Sequence, residues 1–345
     1  MPPAVKAAIQ SFPNGSAAGP DGLQPQHLKD LLTGVPNDNP LLVAVTNLIN
    51  LLLAGRTPPC ARGTLFVANL LAISKKNGGI RPIAVGYVWR RLAAKVACSH
   101  VKQASATLLA PRQIGFGVAG GAEAAIRAAR CFMENMHDRK LLVKIDFQNA
   151  FNTVRRDGIL EAAAKHLPQL LPFACSSMAY PSELQFGKFM LVSEEGAQQG
   201  DPLGPLYFCL VVKELLDLLQ SELVIGYLDD FTLGDDAEVC LQDFQMLELS
   251  AARLGLQINR NKCEVIGHTV ESRAMFTAQG VILPENSPSS VTLLGSPLSA
   301  GHQLDMLLKE KREYLLLLTR RLQFMPAHDS LYLLRHVLTL SLIHI

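Results

Sequence analysis

The sequence predicts an α+β fold: an antiparallel sheet with helices packed on one face. Three observations carry this expectation. From residue 141 onward, β-like apolar runs alternate with segments of helical periodicity. Residues 65–74 with 80–85, and the stretch 223–233, are runs joined by short turns and read as hairpins. The composition, 49% hydrophobic and 18% charged, is that of a globular chain.

In chain order, a Gly/Pro/Asp-rich loop over 13–26 leads into a helix near 25–32. An amphipathic helix follows over 40–54, stopped by Gly55 and then Pro58-Pro59. Lys75-Lys76-Asn77-Gly78-Gly79 supplies the bend of the first hairpin, so two lysines stand at its tip. Helical patterns resume over 87–109 and 121–137. A strand over 141–147 is followed by a helix over 157–166, a loop, and a helix over 202–219. That last helix is expected to open on Asp201-Pro202, an acidic cap with Pro at the first helical position. The 223–233 hairpin, a helix over 238–254 and a strand near 263–267 complete the pattern. A β-like stretch near 291–294 precedes a basic helical segment over 304–339. The chain stops inside the apolar run 338–345, which reads as a truncated end.

With 345 residues the chain can bury a large core. No apolar stretch reaches the length of a membrane span; the best candidate, 41–54, contains Thr46, Asn47 and Asn50. The N-terminus lacks a basic-then-apolar signal pattern. Seven cysteines, scattered and never spaced Cys-x-x-Cys, argue against a disulfide framework or a structural zinc site and for reduced thiols in an intracellular protein. No histidine spacing suggests a metal ligand, and no Gly-x-Ser-x-Gly marks a nucleophile. The net charge of +2 hides an asymmetry: residues 1–145 hold 17 Lys/Arg against 6 Asp/Glu, and residues 146–303 hold 9 against 20. A basic part and an acidic part suit a protein that grips a polyanion with one and binds cations with the other, although two solvated charged faces give the same counts.

Tyr227-Leu228-Asp229-Asp230 places two adjacent carboxylates at a hairpin tip, and Asp146 closes the strand over 141–147. Alone, Asp-Asp is an ordinary solvated turn. Strand-end carboxylates brought together can instead hold two divalent metals about 3.5–4 Å apart, the clamp of an in-line phosphoryl displacement. Asp235 and Asp236 read as surface turn residues.

Asp146-Phe147-Gln148-Asn149-Ala150-Phe151, Gln199-Gly200-Asp201-Pro202-Leu203 and Tyr227-Leu228-Asp229-Asp230 resemble the three central palm motifs of reverse transcriptases, in that family's order. Asn259-x-x-Lys262 is similar to the next motif, and Leu294-Gly295 to the primer-contacting turn after it. Ser16-Ala17-Ala18-Gly19-Pro20-Asp21-Gly22, Arg81-Pro82-Ile83 and Gln113-Ile114-Gly115-Phe116 resemble finger motifs of non-LTR (LINE-like) retrotransposon enzymes. The resemblance covers about residues 11–300.

It implies a right-hand polymerase fold with fingers over 1–140, a palm over 141–300 and the start of a helical thumb over 301–345. The implied reaction adds dNMP to a primer 3′-hydroxyl on an RNA or DNA template. Asp146, Asp229 and Asp230 would hold two Mg²⁺ ions, for which Mn²⁺ could substitute, with Asp146 and Asp229 the firmer pair and Asp230 a weaker or outer ligand. The main-chain carbonyl of Phe147 would add an oxygen. Phe151 would pack under the sugar and exclude a 2′-hydroxyl. Arg81 and one of Lys75 and Lys76 would meet the triphosphate, though exposed turn lysines are commonplace. Gln199 and Gly200 would contact the incoming nucleotide, with Gly200 permitting close backbone approach. Lys262 would give a proton to the departing pyrophosphate, or serve only as a structural lysine. Tyr227, Leu294 and Gly295 would contact the primer. Lys309, Lys311, Arg312, Arg320 and Arg321 would begin the thumb's grip, although a solvated helix face fits them equally.

The implied partners are an RNA template, a DNA primer and dNTPs, with no membrane. An endonuclease is expected from missing sequence or a partner, and a nuclear site of action follows from the resemblance alone. Two alternatives stay open: a reverse transcriptase of another lineage, such as that of a group II intron, and an inactive remnant that only binds nucleic acid. A viral RNA-dependent RNA polymerase shares the palm, but Phe151 and the Tyr-Leu-Asp-Asp tip count against it.

Overall fold

The computed structural model describes residues 2–74, 78–267, 269–281, 291–299 and 302–335. Helices and antiparallel strands are mixed, as the periodicities predicted. The helices are α1 (Pro2–Gln10), α2 (Pro25–Leu32), α3 (Pro40–Leu53), α4 (Pro59–Leu65), α5 (Val88–Leu109), α6 (Gly121–Glu134) and α7 (Ala150–Thr153). They continue with α8 (Arg156–His166), α9 (Leu171–Met178), α10 (Gly204–Leu218), α11 (Ala237–Arg253), α12 (Val270–Thr277), α13 (His302–Leu322) and α14 (Ala327–Leu333).

The central sheet has the order β6 (Leu223–Tyr227), β7 (Asp230–Asp236), β3 (Lys140–Ile145), β8 (Glu264–Gly267), every neighbour antiparallel. Its two faces follow from the alternation of side chains along β3. Leu141, Val143, Ile145 and Phe147 enter the main core with Phe231, Leu233 and Val265. Leu142 turns to the other face, into a smaller cluster with Ile225, Ile266 and Phe132. Lys144 and Asp146 follow Leu142 on that second face, where apolar cover gives way to an open cleft.

Helix α10 is apolar on nearly every side and runs through the main core; Leu206 to Val212 are all buried. Helix α11 buries one stripe (Cys240, Phe244, Leu247, Ala251) against β3 and β7. Helix α6 packs on β6 from the second face.

A second sheet has the order β2 (Ile80–Gly86), β1 (Ala68–Ser74), β4 (Ser182–Phe186), β5 (Phe189–Ser193). Its β4–β5 hairpin lies where the sequence pattern predicts a loop. The signal was present in Gly187-Lys188: a two-residue turn with Gly at the first position, φ +58°, and Phe186 paired with Phe189. What no local pattern contains is the parallel pairing of β1 with β4, Ala68 opposite Leu184, which unites strands over a hundred residues apart. A third, two-stranded piece pairs β9 (Thr292–Leu293) with β10 (Ser296–Pro297). Among the described residues no helix is long and apolar enough to cross a membrane. The lysine bend at Lys75 and Lys76, and the apolar run 338–345, lie outside the described residues.

Candidate active site

Strand β3 ends at Ile145, and its register with β7 sets Lys144 opposite Thr232 and Ile145 opposite Phe231. One more step of that register puts Asp146 opposite Asp230, and cross-strand neighbours on one face have Cβ atoms about 4.5–5.5 Å apart. Both carboxylates line a cleft of about 580 Å³, together with Lys144, Thr232, Lys262 and Glu264. The Asn259 N–H donates to the Asp146 carbonyl at 2.8 Å, and the Gln148 N–H donates to that of Gln257. These two bonds flank the Phe147–Ile258 bridge, so the N–H and C=O of Phe147 face away from that segment. The Phe147 ring is buried edge-to-face on Phe231, 5.2 Å between centroids, which leaves only its main chain for the ligand role expected of it.

Tyr227 pairs with Asp230, so the tip of the β6–β7 hairpin is the two-residue turn Leu228-Asp229. Leu228 has φ +58°. For a residue with a branched side chain that left-handed conformation costs on the order of 1–2 kcal/mol. Such departures concentrate at functional sites. The Cys209 thiol on α10 is pushed up by burial and, secondarily, by the charge of Asp229, which therefore lies within electrostatic range of that helix.

The Asp230 carboxyl is pushed up to about 6, first by loss of surrounding water, then by the like charges of Asp229 and Asp146, with Lys144 opposing. The residue as a whole remains solvent-accessible. Lys144 is itself paired with Glu264 at 2.6 Å. Lys262 places Nζ 3.7 Å from Asp146 Oδ2 and is otherwise largely exposed. Across the cleft, Leu294 and Gly295 form the turn between β9 and β10, with φ of +49° and +80°. Arg130 of α6 holds that turn by donating to the Pro297 carbonyl and the Ser296 hydroxyl. Leu228 and Leu294 are thus both leucines in the left-handed region, at hairpin tips beside the carboxylates.

The Gln199-Gly200-Asp201 segment lies against the second sheet. The Ala84 N–H of β2 donates to the Gln199 carbonyl at 2.6 Å. Gly200 has φ +116°, and a Cβ there would strike the Ala84 carbonyl oxygen, so the close approach it permits is to β2. Gln199 lines a cleft of about 460 Å³ with Ala84 and Asn152. Arg81 lies exposed on β2, on the strand face of Ile83, which borders Gly200. Phe151 of α7 is half-buried and stacks on Phe208 of α10, centroids 4.6 Å apart.

Two expectations are corrected. Asp201 does not cap α10: the helix begins at Gly204, and Asp201 Oδ1 accepts the Leu203 N–H of the preceding turn while Oδ2 is buried against Arg90. Asp235 and Asp236 are no surface turn; they end β7, where Asp235 accepts the Glu222 N–H and Asp236 pairs with Arg139. Residues without an expected role also shape the site: Arg90, Arg130, and Gln113, whose side chain reaches the hairpin tip.

The donor set suits a divalent cation. Asp146 Oδ2 is a buried oxygen with no hydrogen-bond partner, and Asp230 is held unfavourably ionised beside two like charges. Oxygen donors of this kind are those that hard divalent ions select. Among the described residues no three His, Cys, Asp or Glu side chains are preassembled to hold such an ion unaided.

The shift at Asp230 has a testable consequence for stability. Its folded value is about 6 against the ordinary 3.8, so the folded protein holds that proton more tightly than the unfolded chain. Above about 6 the ionised group penalises the fold; below 3.8 both states are protonated and the penalty vanishes. Asp230→Asn in metal-free buffer is expected to raise the melting temperature at neutral pH, with the advantage fading as pH falls. A pH-independent difference would contradict this origin.

Comparison with known proteins supplies the family. The family described as "Reverse transcriptase (RNA-dependent DNA polymerase)" matches residues 73–298, more than half of the chain. The chain is 27% identical over 277 residues to the retrotransposable element SLACS 132 kDa protein of Trypanosoma brucei gambiense, covering 76% of this chain and 22% of that protein. It is 25% identical over 280 residues to the Pol polyprotein of the type-2 retrotransposable element R2DM of Drosophila melanogaster, covering 73% and 25%. A 25% identity over 316 residues links it to the Pol polyprotein of the type-1 retrotransposable element R2 of Popillia japonica, covering 82% and 40%. The chain therefore spans 22–40% of the length of these relatives. With residues 73–298 matching that family's model, Asp146 and Asp230 lining one cleft, and relatives of the non-LTR kind that its motifs resemble, the chain belongs to the reverse transcriptase family.

Proposed function

We propose that this chain is the polymerase domain of a non-LTR retrotransposon protein, copying RNA (or DNA) by adding dNMP to a primer 3′-hydroxyl. The observation that supports the reading is that Asp146 and Asp230, with Asp229 adjacent in the chain, line one cleft together with the Leu294-Gly295 turn. In this reading residues 1–140 are fingers, 141–300 the palm, and 301 onward the start of the thumb.

Two Mg²⁺ ions, when bound, would lower the charge barrier between the 3′-hydroxyl and the triphosphate and stabilise the leaving oxygen. Asp146, Asp229 and Asp230 would hold them, and the Phe147 carbonyl would add a donor. Lys262 keeps a cationic group beside Asp146, within reach of a departing pyrophosphate, and can give it a proton. Arg81 presents its guanidinium fork to the triphosphate, and one of Lys75 and Lys76, which lie outside the described residues, adds charge there. Gln199 and Gly200 border the nucleotide, and Tyr227, Leu294 and Gly295 bear on the primer. Template RNA, primer DNA and dNTPs are the partners; the endonuclease that integration needs lies in the rest of a longer protein or in a partner, and the work is nuclear.

Primer extension on poly(rA)/oligo(dT) with Mg²⁺ tests this directly. Incorporation of dTMP by the protein is the expected result; binding of the duplex without incorporation would favour the remnant that only holds nucleic acid.

Phe151, braced by Phe208, is the gate against the 2′-hydroxyl. Phe151→Ala is expected to raise ribonucleotide use relative to deoxynucleotide use by roughly 10–100-fold, the range that one pocket contact discriminates. An unchanged ratio in competition assays would remove Phe151 from the role.

A further inference from the structure

The Gln113 side chain is fully buried, and its amide is spent on the turn that carries Asp229. Oε1 accepts the Leu228 N–H at 2.9 Å, and Nε2 donates to the Leu228 carbonyl at 3.1 Å. Oε1 also accepts the Gly115 N–H at 3.0 Å, which fixes the amide's orientation. The surrounding backbone shows why a side chain is needed here. Residues 112–114 run parallel to the free edge of β6, the Gly226 N–H donating to the Arg112 carbonyl and the Ile114 N–H to that of Gly226. That backbone ladder stops at Gly226, two residues short of the tip. The Gln113 amide then makes with Leu228 the pair of bonds that a neighbouring strand would have made. The fit is close: a Cβ on Gly115 would strike the Leu228 amide nitrogen.

Leu228 is the residue in the left-handed conformation, φ +58°, immediately before Asp229. A strained conformation persists only where its surroundings over-determine it. We propose that Gln113 is a positioning residue: its amide clamps Leu228 in the left-handed conformation and thereby aims Asp229 and Asp230. The clamp also ties the segment entering α6 to the carboxylate geometry. The inference rests on the polymerase reading for its catalytic consequence, not for the clamp itself.

The test uses the full chain with Gln113→Met, which keeps side-chain volume but removes both bonds to Leu228, and with Gln113→Ala as a second variant. Three readouts are taken: hydrogen exchange of the peptide containing Leu228, Mn²⁺ affinity by electron paramagnetic resonance, and primer extension. The Leu228 amide is expected to lose protection in both variants. Mn²⁺ affinity and extension rate are expected to fall by about 10–100-fold, the size of losing an outer residue that orients metal ligands, with the KM for dNTP little changed. Adding Leu228→Gly, which takes positive φ without strain, should restore most of the Mn²⁺ affinity. A residue acting only through packing would gain nothing from that glycine. Unmoved exchange at Leu228, or a double variant no better than the single, overturns the clamp. A wild-type protein that binds Mn²⁺ in this pattern but extends no primer overturns the polymerase reading and leaves the clamp standing.

Discussion

Asp146→Asn is expected to abolish primer extension while leaving the fold intact, and Asp229→Asn to behave alike. The loss should be on the order of 10²–10³ or more in rate, the effect of removing one fixed electrostatic contact from a transition state. The asparagine is nearly isosteric, and the main-chain bond from the Asn259 N–H to the residue 146 carbonyl does not depend on the side chain. What changes is charge: Asp146 Oδ2 is the buried oxygen without a hydrogen-bond partner, and Lys262 loses its ion pair. One repulsive neighbour of Asp230 disappears, so the raised carboxyl should return toward its ordinary range. Extension assays with thermal melts separate loss of chemistry from loss of fold. Wild-type incorporation by Asp146→Asn would defeat the catalytic assignment.

The largest expected effect on stability is at Arg90. Its guanidinium donates twice to Asp201 Oδ2, at 3.2 and 2.8 Å, and once to the Phe66 carbonyl; the pair's side chains are 3% and 4% exposed. Removing one partner strands the other as a buried charge, which costs about 3–5 kcal/mol. Arg90→Met is expected to fall in that range by urea unfolding. Because Asp201 also fixes the turn into α10, the Gln199-Gly200 segment should loosen from β2. Arg90→Met combined with Asp201→Leu should recover much of the loss, since an apolar pair of similar volume often replaces a buried ion pair without penalty. A loss under about 1 kcal/mol, the range of exposed pairs, would contradict the burial argument.

The chemistry of the site was legible because it rests on residue types at strand ends. Period-2 runs placed Asp146 at the end of β3 and Asp229-Asp230 at a hairpin tip. Other parts were not legible for distinct reasons. The β4–β5 hairpin had a local signal in Gly187-Lys188, but its pairing partner β1 is remote in sequence. Asp201 followed by Pro202 satisfies the statistics of a helix start, yet α10 begins at Gly204, and Asp201 is engaged by a buried arginine remote in sequence. Gln113 belonged to a motif by resemblance, while its task emerges only where the 112–115 segment meets β6.

By itself the sequence determined the α+β class of mixed helices and antiparallel strands, the acidic tip and strand end, and membership of a polymerase family, since periodicity, turn chemistry and motif order are short-range properties. Only the tertiary structure decided that Asp146 and Asp230, at adjoining ends of β3 and β7, line one cleft. It likewise decided that the 199–201 loop is bolted to β2 and Arg90, and that Gln113 holds Leu228. Register and burial are set by contacts between residues far apart in the chain, and a one-residue slip would move every side chain of a strand to the opposite face.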